Sequence, residues 1–178
     1  MRVLYAIQGT GNGHLSRARD MIPAILKEKV DLDILVSGTQ ADMRLPFEIK
    51  YQFKGLSFIF GKQGGIDFWK TYLNSNTLRT QRELRNLPVQ DYDLVLNDFE
   101  PISAWACRLK GIPCIGISHQ AAVLSPNAPQ PDWKDPLGVF ILKNSNQALA
   151  HCILTDNIFN SLIQLIYKYI SGRLIHIK

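Results

Sequence analysis

Three cysteines in 178 residues, Cys107, Cys114 and Cys152, are odd in number and lack metal-type spacing, which argues against both a disulfide framework and a zinc site. Cysteine usage of this kind fits a reducing compartment, and the expectation is a cytoplasmic protein. Long apolar runs are missing too: nothing approaches the ~20 uncharged residues needed to cross a bilayer, so only peripheral membrane contact stays open. The amino terminus MRVLYAIQGTG is too short in its apolar part for a signal-peptide core and has no small-residue cleavage site. Clustered charge is absent as well. The formal net charge is +5, but the 20 Lys and Arg are scattered, and nucleic-acid binding gains no support. There is no internal repeat, no low-complexity segment and no linker rich in Gly, Ser or Pro. Asn127–Pro136 is the one plainly irregular stretch.

What is present is an ordinary globular composition, 46% apolar and 20% charged, far from the region where chains stay disordered. The length fits one domain. Short continuous apolar runs at Val3–Ile7, Leu32–Val36, Ile49–Phe53, Leu94–Leu96 and Cys114–Ile117 read as parallel strands covered on both faces. Helical patterns lie between them at Leu15–Lys29, Phe68–Leu87 and Pro101–Lys110. Strands alternating with helices force right-handed crossovers. The expected fold class is therefore α/β: a doubly wound, Rossmann-like parallel sheet in a single domain with strand order 3-2-1-4-5. A sixth strand at His151–Thr155, after a helix near Leu137–Ala150, would complete it. Residues 1–156 form this domain. Residues 157–178 form a tail that is apolar on both sides of its helical pattern, which would dock on the sheet, meet a second domain or a second copy, or be truncated or aberrant.

The strongest local signal is Gln8-Gly9-Thr10-Gly11-Asn12-Gly13-His14-Leu15-Ser16-Arg17-Ala18, placed between the first strand and the first helix. Its glycines let backbone turn tightly and approach a ligand, and the free N–H groups of the following helix favour an anionic oxygen. The string is not a dinucleotide fingerprint, because His14 stands where the third glycine is required and the second strand ends in Ser37-Gly38-Thr39-Gln40 with no acid. A nicotinamide-dependent oxidoreductase is disfavoured for that reason. Nor is it a P-loop, having no lysine beside the last glycine.

This loop, together with Asn97-Asp98-Phe99-Glu100-Pro101 and Gly116-Ile117-Ser118-His119-Gln120 after later strands, resembles the amino-terminal domain of GT-B glycosyltransferases in the group that adds N-acetylglucosamine to the peptidoglycan precursor. The likeness runs from Met1 to about Asp156. It implies transfer of a hexosyl group from a nucleotide diphosphate sugar to an acceptor hydroxyl, with no cofactor and no metal. It also implies a second GT-B domain to grip the donor, which a 178-residue chain has no room for. The chain would then be the acceptor-side half and incomplete alone. A non-catalytic sugar- or nucleotide-binding module, or an inactive truncated remnant, is the alternative.

Candidate catalytic residues are His14, Asp98 and Glu100. A helix amino terminus favours the neutral imidazole, so His14 would act as general base or steady a phosphate, against a plain role in ordering its loop. Asp98 and Glu100 follow a strand at its carboxyl end and would position or deprotonate an acceptor hydroxyl; alternatively Asp98 is the N-cap of the next helix and Glu100 sits in its first turn. Candidate binding residues are Gly9, Thr10, Gly11, Asn12, Gly13, Arg17, Ser118, His119 and Gln120. Arg17 stands near the wrong end of a helix for its charge, which a nearby anion would explain. Lys62–Asp67 is a glycine-containing loop, and Phe68, Trp69 and Tyr72 would line a groove or pack in the core.

Overall fold

The computed structural model describes residues 1–38, 41–55, 77–117 and 150–151. Six strands, β1 (Arg2–Gln8), β2 (Asp31–Ser37), β3 (Tyr51–Phe53), β4 (Leu94–Asp98), β5 (Cys114–Gly116) and β6 (Ala150–His151), form one sheet in the order β3-β2-β1-β4-β5-β6. Every pairing is parallel, and β1 lies between β2 and β4 with Ile7 opposite Asp98 and Gln8 opposite Ser37. The expected doubly wound order is the observed one. Among the described residues three α-helices accompany the sheet: α1 (Asn12–Lys27), α2 (Thr77–Asn86) and α3 (Pro101–Lys110).

The sheet is apolar on both faces because residues at period two feed two different cores. Val3, Tyr5 and Ile7 of β1 join Ile34, Val36, Leu94 and Leu96 against Leu15, Ala18, Met21, Ile22 and Ile25 of α1. Leu4 and Ala6 turn the other way, with Leu35 and Val95, onto Ala106 and Cys107 of α3 and the turn Leu87–Tyr92. Leu4, Ile7, Leu94 and Leu96 are wholly buried, each such side chain stabilising the fold by about 1.5–3 kcal/mol relative to exposure.

Several element bounds differ from expectation, β4 for instance running on to Asp98 rather than ending at Leu96, and two of the differences have a physical reason. The first helix starts at Asn12, inside the glycine string, since its first turn is exposed and carries none of the apolar periodicity that begins at Leu15. The third strand is Tyr51–Phe53 rather than Ile49–Phe53; Ile49 instead packs partly buried against the α1-side core. The third helix runs over Pro101–Lys110 as read from the sequence, with proline at its first position and Gly111 at φ 67° closing it. Ala150 and His151 form β6, so the sixth strand expected at His151–Thr155 begins one residue earlier, and its residues 152–155 lie outside the described residues. So do residues 137–149 of the expected helix, the loop Lys62–Asp67, the aromatics Phe68, Trp69 and Tyr72, and the tail 157–178.

Candidate functional site

The carboxyl ends of β1 and β4 bring together residues far apart in sequence. Ile7 opposite Asp98 sets the register, and residues alternate faces along β4, so Asp98 falls on the α1 side with Leu94 and Leu96. There His14 Nδ1 lies 2.8 Å from Asp98 Oδ1. Arg17, one turn further along α1, grips the same carboxylate with two bonds, Nε donating to Oδ2 at 3.0 Å and Nη2 donating to Oδ1. Arg17 Nη2 also approaches His14 Nδ1 at 3.0 Å. Asp98 is wholly buried, while the His14 and Arg17 side chains keep 14% and 16% of their exposure. The anion that accounts for Arg17 is thus Asp98, a residue of the protein itself.

Two further described side chains join the cluster, and the sequence did not single out either. Tyr5, buried in β1 on the same face, directs its hydroxyl to Asp98 Oδ2 at 3.4 Å and lies 3.8 Å from Met21 Sδ. Burial, reinforced by the Asp98 charge, pushes the Tyr5 phenol well above its ordinary value, so it stays a donor. A tyrosine inside an otherwise aliphatic strand was the available signal, because a buried phenol needs a partner. Phe99 stacks on the His14 ring with centroids 6.1 Å apart and planes 4° off parallel. Its φ of 60° is a left-handed conformation that a bulky side chain avoids, and no sequence signal announced it.

Glu100 belongs to a different structure. Its carboxylate accepts from the backbone N–H groups of Ile102 at 2.9 Å and Ser103 at 2.6 Å, making Glu100 rather than Asp98 the N-cap of α3. It is wholly buried, and Asn97 braces it by donating through Nδ2 to the Glu100 carbonyl at 2.6 Å. Burial raises the Glu100 carboxyl above its usual range, against the opposing pull of the Ser103 and Ile102 amides. The two capping roles considered for Asp98 and Glu100 are therefore corrected: the helix bonds the second acid and leaves the first to His14 and Arg17.

The glycine loop is stitched to the end of β2. Gly9 N–H donates to the Ser37 carbonyl at 2.6 Å, and the Ala41 N–H to the Gly9 carbonyl at 3.2 Å. A Cβ on Gly9 would meet Val36 Cγ1 at 2.8 Å, and one on Gly38, at φ 116°, would meet the Gly9 carbonyl carbon at 2.9 Å. Among the described residues nothing stands within 4 Å of a Cβ built at Gly11 or Gly13. The fold therefore requires Gly9 and Gly38, whereas Gly11 and Gly13 leave room beside the start of α1, whose N-cap Gly11 supplies no side-chain acceptor. Thr10 accepts from Gln8 Nε2 at 3.2 Å, and Asn12 Oδ1 accepts from the Met43 N–H at 3.2 Å. A cavity of about 460 Å³ opens beside this loop, walled by Leu15, Val36, Met43, Leu45 and Ile49 with Arg44 and Gln52 as its polar members. Ser118, His119 and Gln120 lie outside the described residues.

A doubly wound α/β domain with a polar cluster between its first and fourth strands has that cluster at the switch point, where such sheets bind ligands. Residues 1–158 match the model of glycosyl transferase family 1, and the chain belongs to that family. No curated protein matches it. Among solved structures it is similar to Acinetobacter baumannii MurG, at 18% identity over 66% of this chain and 34% of that one with a TM-score of 0.38. It is also similar to CalG4, the calicheamicin glycosyltransferase, at 12% identity over 100% and 46% with a TM-score of 0.43. A third is a UDP-N-acetylglucosamine 2-epimerase, at 15% identity over 93% and 45% with a TM-score of 0.47. The chain spans less than half the length of each of these proteins. Among the described residues no helix is long and apolar enough to cross a membrane.

Proposed function

We propose that residues 1–156 are the acceptor-side domain of a glycosyltransferase that moves a hexosyl group from a nucleotide diphosphate sugar to an acceptor hydroxyl. His14 is its general base. The acceptor oxygen attacks the anomeric carbon while the bond from that carbon to the diphosphate breaks; the diphosphate leaves with the bonding electrons, and the acceptor proton passes to His14 Nε2. The observation that carries this reading is the 2.8 Å contact between His14 Nδ1 and the buried Asp98 carboxylate, which orients the ring and leaves Nε2 as the nitrogen available to substrate.

The departing diphosphate is accommodated beside Gly11 and Gly13, where backbone N–H groups and the positive end of α1 stabilise developing negative charge without a metal or cofactor. Ser118, His119 and Gln120 complete the acceptor contacts. A second GT-B domain holds the rest of the donor, and the protein works in the cytoplasm, at the membrane surface if its acceptor is there. Arg17 and Glu100, both raised as site candidates from sequence, act on Asp98 and on α3 respectively rather than on substrate.

Calorimetric titration with uridine, guanosine and thymidine diphosphates and their sugars tests the placement of the diphosphate. A wild-type heat that Gly11→Asp abolishes is expected. Absence of heat with every nucleotide, or equal heats in both proteins, counts against it.

A further inference from the structure

His14 Nδ1 faces two partners that make opposite demands. Asp98 Oδ1 at 2.8 Å requires Nδ1 to carry a proton and donate; Arg17 Nη2 at 3.0 Å requires Nδ1 to be bare and accept. One ring nitrogen can satisfy only one of them. The surroundings decide between the two. Asp98 is wholly buried and its negative charge is matched by the guanidinium, which bonds both of its oxygens. A carboxylate paired in that way accepts and does not donate, so the only proton available to the Nδ1–Oδ1 contact is the imidazole's own. A second positive charge on the ring would lie against Arg17 while Asp98 has only one negative charge to share.

We propose that Arg17 is a positioning residue that acts through Asp98 to hold His14 uncharged, with the proton on Nδ1 and the lone pair on Nε2. Among the described residues, the charged and titratable groups around the ring are Asp98 from β4 and Arg17 from α1, with Tyr5 of β1 reaching the far carboxylate oxygen; Phe99 covers the ring face and adds no charge. Without the arginine, the charge of the buried aspartate would favour the imidazolium, and the fraction of base already protonated before substrate arrived would rise. Arg17 removes that competition. What Nε2 then does for an acceptor hydroxyl rests on the transferase reading; the state of the ring does not.

The test is long-range proton–nitrogen NMR on the full chain labelled with ¹⁵N-histidine at neutral pH, with His14 assigned by its loss in His14→Gln. Wild type is expected to show a neutral ring protonated at Nδ1. Arg17→Met is expected to raise the imidazolium fraction of His14 severalfold, with the other three histidines unchanged. Arg17→Lys should restore the neutral form in part, because lysine returns the charge without the two-pronged grip. A wild-type ring protonated at Nε2 overturns the proposal, since Nδ1 would then belong to Arg17. A wild-type pattern surviving in Arg17→Met overturns it as well. If Arg17→Met does not fold, the wild-type spectrum and Arg17→Lys decide. Nucleotide binding enters none of these readouts, so a failed titration and a failed tautomer measurement are separable.

Discussion

Asp98 and Glu100 stand two residues apart at one strand end, yet their carboxylates serve opposite layers of the domain: the first bonds His14 and Arg17 of α1, the second the first-turn amides of α3. Both are wholly buried, so each is held by its hydrogen bonds rather than by solvent. The chain reverses face between them at Phe99, whose left-handed backbone makes the turn. Two acids that look equivalent in sequence therefore have separable roles.

That separation gives a first prediction. Glu100→Gln keeps one carbonyl oxygen to cap α3 and is expected to cost about 1 kcal/mol. Asp98→Asn leaves the part-buried guanidinium and imidazole without their buried charge partner and is expected to cost roughly 3 kcal/mol. Urea unfolding followed by circular dichroism measures both, and a larger loss for Glu100→Gln would contradict the assignment. The pH dependence has a definite sign. The Glu100 carboxyl is raised in the folded protein, so its contribution is full below the unfolded carboxyl value and fades as pH rises through the folded one; the gap between wild type and Glu100→Gln narrows upward in pH.

Much of this is legible in the sequence. Continuous apolar strands alternating with amphipathic helices specify a parallel doubly wound sheet, and the observed order has β1 flanked by β2 and β4 as that pattern demands. Pro101 and Gly111 bracket α3 so clearly that its bounds were readable residue by residue. His14, Arg17 and Asp98 were also visible as candidates, each from its place at a strand end or helix start. Their mutual bonding was not, because His14 and Asp98 are 84 positions apart and only the β1–β4 register brings them together. Nor could local pattern tell which acid caps α3, since both lie within reach of its first turn and only the reversal at Phe99 selects Glu100.

The opposite end of the sheet predicts acid lability. Asp33 accepts from Lys50 Nζ at 2.6 Å, Tyr92 Oη at 2.8 Å and Arg2 Nη2 at 3.2 Å. Burial pushes its carboxyl up, but these hydrogen bonds and the Lys50 charge outweigh it and hold Asp33 below the usual range. A depressed carboxyl contributes stability that is present above the unfolded value and lost as pH falls through the folded one. Asp33→Asn should cost about 2 kcal/mol at neutral pH. In acid, below the folded value, most of that cost should vanish. Denaturation midpoints at the two pH extremes check this, and an equal cost at both would refute it.

Phe99 offers a test of backbone against side chain. Glycine adopts φ near 60° freely, whereas alanine meets a penalty of roughly 1–2 kcal/mol there. Phe99→Gly should therefore fold more stably than Phe99→Ala, although both remove the ring that lies against His14. Both should broaden or shift the His14 ring signals in NMR. Equal stability of the two variants would mean that the left-handed turn is not held in solution.

The glycine loop divides by the same logic into positions that serve the fold and positions that leave space. Gly9→Ala places a methyl group 2.8 Å from Val36 Cγ1 and against the end of β2, and is expected to destabilise the protein by at least ~1 kcal/mol. Gly13→Ala meets nothing among the described residues and replaces glycine inside α1, so it should stabilise the chain by about 0.5–1 kcal/mol. The same methyl group occupies the opening beside the first turn of α1, and diphosphate binding should weaken as stability rises. Thermal unfolding and calorimetric titration on one protein measure the two effects together. Should Gly13→Ala gain stability with nucleotide affinity unchanged, the open space at Gly13 is not where the diphosphate lies, and the anion contacts must be sought at Gly11 or elsewhere along the loop.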